Sequence, residues 1–78
     1  MGFVMFLSDL KSGEAGVVVS IESGLRLFNR LASMGISEGR ELKVVKNSGE
    51  GPVVIDVEGS RYAIGRGMAQ KIVVSEKL

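Results

Sequence analysis

Short alternating or wholly apolar stretches make up most of this chain, and one stretch with helical spacing interrupts them. Gly16-Val-Val-Val-Ser-Ile21 is β-branched and apolar, which predicts a buried strand. In Arg40–Lys46, Leu42 and Val44 share one face and the charged Glu41 and Lys43 the other, the pattern of a half-buried strand. Val53, Ile55 and Val57 point one way, and Val54, Asp56 and Glu58 the other. Arg61-Tyr-Ala-Ile64 reads as the partner strand, with Gly59-Ser60 as a two-residue type II′ hairpin loop between them. Ile72-Val-Val74 closes the chain as a last strand, after a short irregular or 3₁₀ segment at 65–71.

The exception is the stretch from residue 25 to 34. At about 100° per residue, Leu25, Leu27, Phe28, Leu31, Ala32 and Met34 fill one half of a helix, and Arg26, Asn29, Arg30 and Ser33 lie opposite. Ser23 is a candidate N-cap. Gly35 suits the left-handed position after the helix. Ile36 then falls where a Schellman motif packs an apolar side chain back onto Leu31. Gly13 and Gly39 supply the positive φ of two tight turns, Lys11–Glu14 and Ser37–Gly39. The prediction is a single mainly β domain spanning 1–78. It is a small SH3-like antiparallel barrel of about five strands, with one helix between the first two strands, and residues 1–5 form a flexible tail.

Composition narrows the chemistry. With no histidine and no cysteine, the chain lacks the usual neutral-pH acid–base group, thiolates and zinc ligands, so it reads as a non-enzyme without a cofactor. The net charge of +1 gives no support to wholesale nucleic-acid binding. The carboxylates Asp9, Glu14, Glu22, Glu38, Glu41, Asp56 and Glu58 are scattered singly, so no native metal site is expected. No apolar run reaches the roughly 18 residues of a membrane span, which suits a cytoplasmic protein that is not membrane-inserted. Among surfaces, Arg26 and Arg30 beside the edge residues Leu27 and Met34 offer charge next to an apolar anchor, the makeup of a partner-binding site. Leu27 and Met34 are expected to be the exposed members of the apolar face, shared with a partner or with a second copy in a weak homo-oligomer. The alternative is a small-barrel module for nucleic acid, through Arg61-Tyr62, or for a peptide.

Three segments together, LSDLKSGEAGVVVSI, RLASMGISEGRELKVV and GSRYAIGRGMAQKIVV, resemble the FeoA family over about residues 6–75. Leu31, Met34, Gly35, Ile36 and Gly39 carry the most specific part. Ser12 and Glu38 stand where that family often has proline before the turn glycine. The resemblance implies an SH3-like barrel. It also implies a regulatory role in ferrous iron transport, with the cytoplasmic portion of the membrane GTPase transporter FeoB as partner. The family is further classed as transition-metal-ion binding.

Overall fold

The computed structural model describes residues 4–77. Six antiparallel strands form one sheet: β1 (Val4–Phe6), β2 (Ala15–Ile21), β3 (Glu41–Lys46), β4 (Val53–Val57), β5 (Ser60–Ile64) and β6 (Ile72–Lys77). Their order across the sheet is β1-β6-β2-β3-β4-β5. A 3₁₀ turn at Leu7–Asp9 follows β1. Helix α1 (Leu25–Ser33) joins β2 to β3, and the single turn α2 (Arg66–Ala69) joins β5 to β6. The architecture is mainly β and SH3-like, with β1 and β5 at the two ends of the hydrogen-bonded ladder.

The sixth strand corrects the expectation of about five. Val4 and Met5 belong to β1 rather than to a flexible tail, because the C-terminal strand gives them a partner: Val4 lies opposite Ser75 and Met5 opposite Val74. Residues 1–3 of the expected tail lie outside the described residues. β6 thus sits between β1 and β2, and the two ends of the chain meet inside the sheet. Local sequence pattern cannot show this, since the pairing joins residues about 70 positions apart.

One face of the sheet is the core. Val18, Leu42, Val44, Ile55 and Val74 are buried there, together with Leu7 and Leu10 from the 3₁₀ turn and Leu31 and Ile36 from the helix and its stop. Gly16 on β2 leaves room for the Leu10 side chain. A Cβ there would come within 3.2 Å of Leu10 Cδ1 and of the Ser75 carbonyl oxygen. The β4–β5 hairpin turns one residue earlier than Gly59-Ser60. Val57 pairs with Ser60, and the loop is Glu58-Gly59. Both residues have positive φ, 52° and 86°, which is a type I′ turn rather than II′. The Asp56 carboxylate stabilises it by accepting from the Gly59 N–H at 2.9 Å.

Candidate partner-binding surface

Helix α1 is set at both ends by backbone geometry. Its N-cap is Gly24, with no side-chain cap bond, so Ser23 does not have the capping role its position suggests. Its C-terminus is a Schellman motif. The Gly35 N–H donates to the Ala32 carbonyl at 3.0 Å, and the Ile36 N–H to the Leu31 carbonyl at 2.9 Å. Gly35 takes φ +84°. Leu31 and Ile36 are both fully buried, so the helix stop anchors the helix in the core.

That anchor fixes which way the helix faces. With Leu25 as zero, Leu27, Leu31 and Met34 lie at roughly 180–240° around the axis and Leu25, Phe28 and Ala32 at roughly 300–360°. The first group packs against the core; the second is exposed. The core therefore takes one side of the apolar arc rather than its centre. This corrects the expectation that Leu27 and Met34 are the exposed edge. They are half-buried, whereas Leu25 is 72% and Phe28 38% exposed.

On the other flank, Arg26 and Arg30 stand beside the buried stripe at the rim of an open groove of about 440 Å³. Leu27 and Met68 supply apolar walls, and Lys71, Ser23 and Gly24 complete the lining. The Glu22 N–H, one residue before the lining Ser23, donates to the Lys71 carbonyl at 2.7 Å. The structure thus brings Arg26, Leu27 and Arg30 into one site; Met34 does not line it. No carboxylate lines the groove, and Arg26, Arg30 and Lys71 form no ion pair among the described residues. Met68 and Lys71 are the members that the sequence pattern misses. They lie in a segment without periodicity, and only the Ile21–Ile72 pairing of β2 with β6 places them beside the helix.

The turn glycines lie elsewhere. Gly13, Gly39 and Gly59 all have positive φ, between 85° and 91°. Gly13 and Gly39 also donate backbone N–H groups across the sheet, to Val44 and Val18 carbonyls, at 2.8 Å each. The 47–52 loop, the competing surface, is held by Asn47. Its side-chain amide donates to the Ser8 and Leu10 carbonyls, and its Oδ1 accepts from Arg66 and from the Gly49 N–H. Arg66 Nε in turn donates to the Gly51 carbonyl. These polar groups are thereby used internally. Among the described residues, no three of Asp, Glu, His and Cys gather as a metal-holding group. No helix there is long and apolar enough to cross a membrane.

With this geometry in view, comparison with known proteins is direct. The model of the FeoA domain family matches residues 5–76. A Methanocaldococcus jannaschii protein named "Putative Fe(2+) transport protein A" is 47% identical over 70 residues, covering 90% of this chain and 84% of that one. A crystal structure of an iron uptake regulatory protein, FeoA, superimposes with a TM-score of 0.91 at 36% identity, over 96% of this chain and 100% of the other. The zinc-complexed FeoA of Stenotrophomonas maltophilia, described as a procaryotic SH3 domain protein, gives 0.78 at 28% identity, over 90% and 88% of the two chains. By family model, sequence identity and fold, the chain belongs to the FeoA domain family.

Proposed function

We propose that this protein is a small accessory component of ferrous iron transport, and that it acts by docking on the cytoplasmic portion of the membrane GTPase transporter FeoB. The transport role is supported by the M. jannaschii relative, whose name carries Fe(2+) transport. One observation carries the docking: Arg26, Arg30 and Lys71 surround the Leu27–Met68 groove with no carboxylate to neutralise them. Uncompensated charge beside a half-buried apolar floor is the arrangement that attracts an acidic partner and then holds it by desolvation. In this reading Fe²⁺ is the transporter's cargo and the protein acts by contact, without chemistry of its own.

Arg26→Glu combined with Arg30→Glu should weaken association with the FeoB GTPase domain by about 1–3 kcal/mol, with the salt dependence of the wild-type interaction reduced. Both side chains are exposed, so thermal stability should be nearly unchanged. Biolayer titration against the isolated domain and the full-length transporter measures this. Unaltered affinity for both, with the fold intact by circular dichroism, would move the interface off this surface.

A further inference from the structure

The groove beside α1 is lined from two elements. Helix α1 supplies Arg26, Leu27 and Arg30, and the stretch from α2 into β6 supplies Met68 and Lys71. Each element therefore contributes one apolar side chain and at least one cation. Leu27 and Met68 pack against the core and are only half-buried, so part of each is left for a ligand. Arg26, Arg30 and Lys71 are exposed. The volume of about 440 Å³ lies within the roughly 300–1,000 Å³ that holds a ligand of a few side chains. It is far smaller than the patch of about 800 Å² that a globular partner presents. The hollow at Ser37–Glu41 and Glu58, about 460 Å³, lacks both features: no apolar side chain lines it, and its Arg40 is paired with Glu58.

We propose that the groove captures a short acidic segment of the partner through a single apolar side chain, seated between Leu27 and Met68 with carboxylates on both sides of it. This assignment rests on the reading of the groove as the docking site and narrows the partner from an acidic face to a few residues. Charge sets the carboxylates. Arg26 and Arg30, one helical turn apart, and Lys71 from the other element have no ion-pair partner among the described residues. A carboxylate on either side of the anchor meets one of them. Burial sets the anchor. Leu27 and the adaptable thioether of Met68 can close around one aliphatic side chain and remove it from water. A nucleotide fits less well, because no aromatic ring lines the groove to stack a base. A bare anion would leave both apolar side chains unused.

The probe is a fluorescein-labelled synthetic peptide with a leucine between two pairs of glutamates, titrated with the whole protein by fluorescence anisotropy. It should bind saturably, and more weakly as salt is raised. Replacing the leucine with serine should weaken binding at least about ten-fold, and replacing the glutamates with lysines should abolish it. Lys71→Glu, an exposed change, should weaken binding about five-fold or more with an unchanged melt. Leu25→Ser, on the exposed stripe that Leu25 shares with Phe28 outside the groove, should leave binding unchanged. Equal binding of the leucine and serine peptides, or undiminished binding to the Lys71→Glu variant, would overturn the proposal. Displacement of the peptide by an equal concentration of inorganic phosphate would overturn it too and make the groove a simple anion site. Leucine-dependent peptide binding by a protein that fails to associate with the FeoB GTPase domain would uphold the acidic segment and remove FeoB as its source. Association with that domain through Arg26 and Arg30, without leucine-dependent peptide binding, would keep the docking surface and overturn the segment.

Discussion

Gly35 shows how one residue can decide the orientation of α1, the longest helix among the described residues. Its φ of +84° lets the chain reverse, so that the Ile36 N–H reaches the Leu31 carbonyl and both side chains enter the core. Space is not the constraint: an added Cβ would meet Val57 Cγ1 at 3.4 Å, an ordinary contact. The constraint is the backbone, which non-glycine residues adopt at a cost of about 1–2 kcal/mol, and β-branched residues at more. Gly35→Asn should therefore lower stability by about 1 kcal/mol, and Gly35→Val by about 2 kcal/mol or more. Urea melts of the two variants measure the gap. Equal midpoints would mean that the left-handed position is not what the glycine serves. The loss belongs to folding, since Gly35 lines neither the groove nor the exposed stripe.

At the scale of elements, the junction of β2 and β6 places two carboxyls, Glu14 and Glu76, where they shift one another's titration. Gly16 lies opposite Glu76, which brings the Glu14 and Glu76 carboxyls together. The Lys11 N–H, 2.6 Å from Glu14 Oε1, holds Glu14 below the ordinary value near 4.5, with help from the hydrogen bond to Glu76. That same hydrogen bond raises Glu76. The two signs are opposite. The depressed Glu14 contributes stability above 4.5 that is lost as pH falls through its folded value. The raised Glu76 contributes stability below 4.5 that is lost as pH rises through its folded value. The pair is therefore most stabilising near 4.5. Glu76→Gln keeps a donor for Glu14 and removes the upper titration. The variant should gain stability relative to the wild type between pH 4.5 and 7 while keeping the loss on the acid side. Parallel stability profiles of variant and wild type across that upper window would show that Glu14 does not raise Glu76.

Such pairs are invisible to sequence pattern, and the reason is general to this molecule. The periodicity of Leu42/Val44 and Val53/Ile55/Val57 identifies strands because each faces one core, and the structure buries all five. The Leu31–Gly35–Ile36 stop is equally local and equally legible. What the pattern leaves out is set by pairing between distant segments. Val4–Phe6 reads as a tail until Ser75–Val73 lies beside it. Met68 and Lys71 join Arg26 and Arg30 only through the Ile21–Ile72 register. The helix presents Leu27 inward and Phe28 outward because Leu31 and Ile36 pin its rotation, which the width of an apolar arc cannot reveal. The hairpin loop falls on Glu58-Gly59 rather than Gly59-Ser60 because Asp56 supplies an acceptor for the Gly59 N–H.

For the whole molecule, the consequence of meeting ends is cooperativity. Leu7 from the start of the chain and Ile72 and Val74 from its end are fully buried in the same cluster as Ile55 and Ile64 on the opposite side of the sheet. No strand pair can bury its face alone, so the six strands should unfold as one unit. The sequence provides an internal reporter: Tyr62 is its only tyrosine, there is no tryptophan, and the ring packs against the core from β5, at the far end of the ladder from β1. Leu7→Val removes one methylene next to β1 and should lower stability by about 1 kcal/mol, mild enough for a small domain to remain folded. Because the core is shared, Tyr62 fluorescence and far-ultraviolet circular dichroism should report the same lowered urea midpoint, with an unchanged slope. A Tyr62 transition that stays at the wild-type midpoint while the circular dichroism transition moves would mean that the two ends of the sheet unfold separately. The closure of the fold by its terminal strands would then be a local feature rather than the event that completes the core.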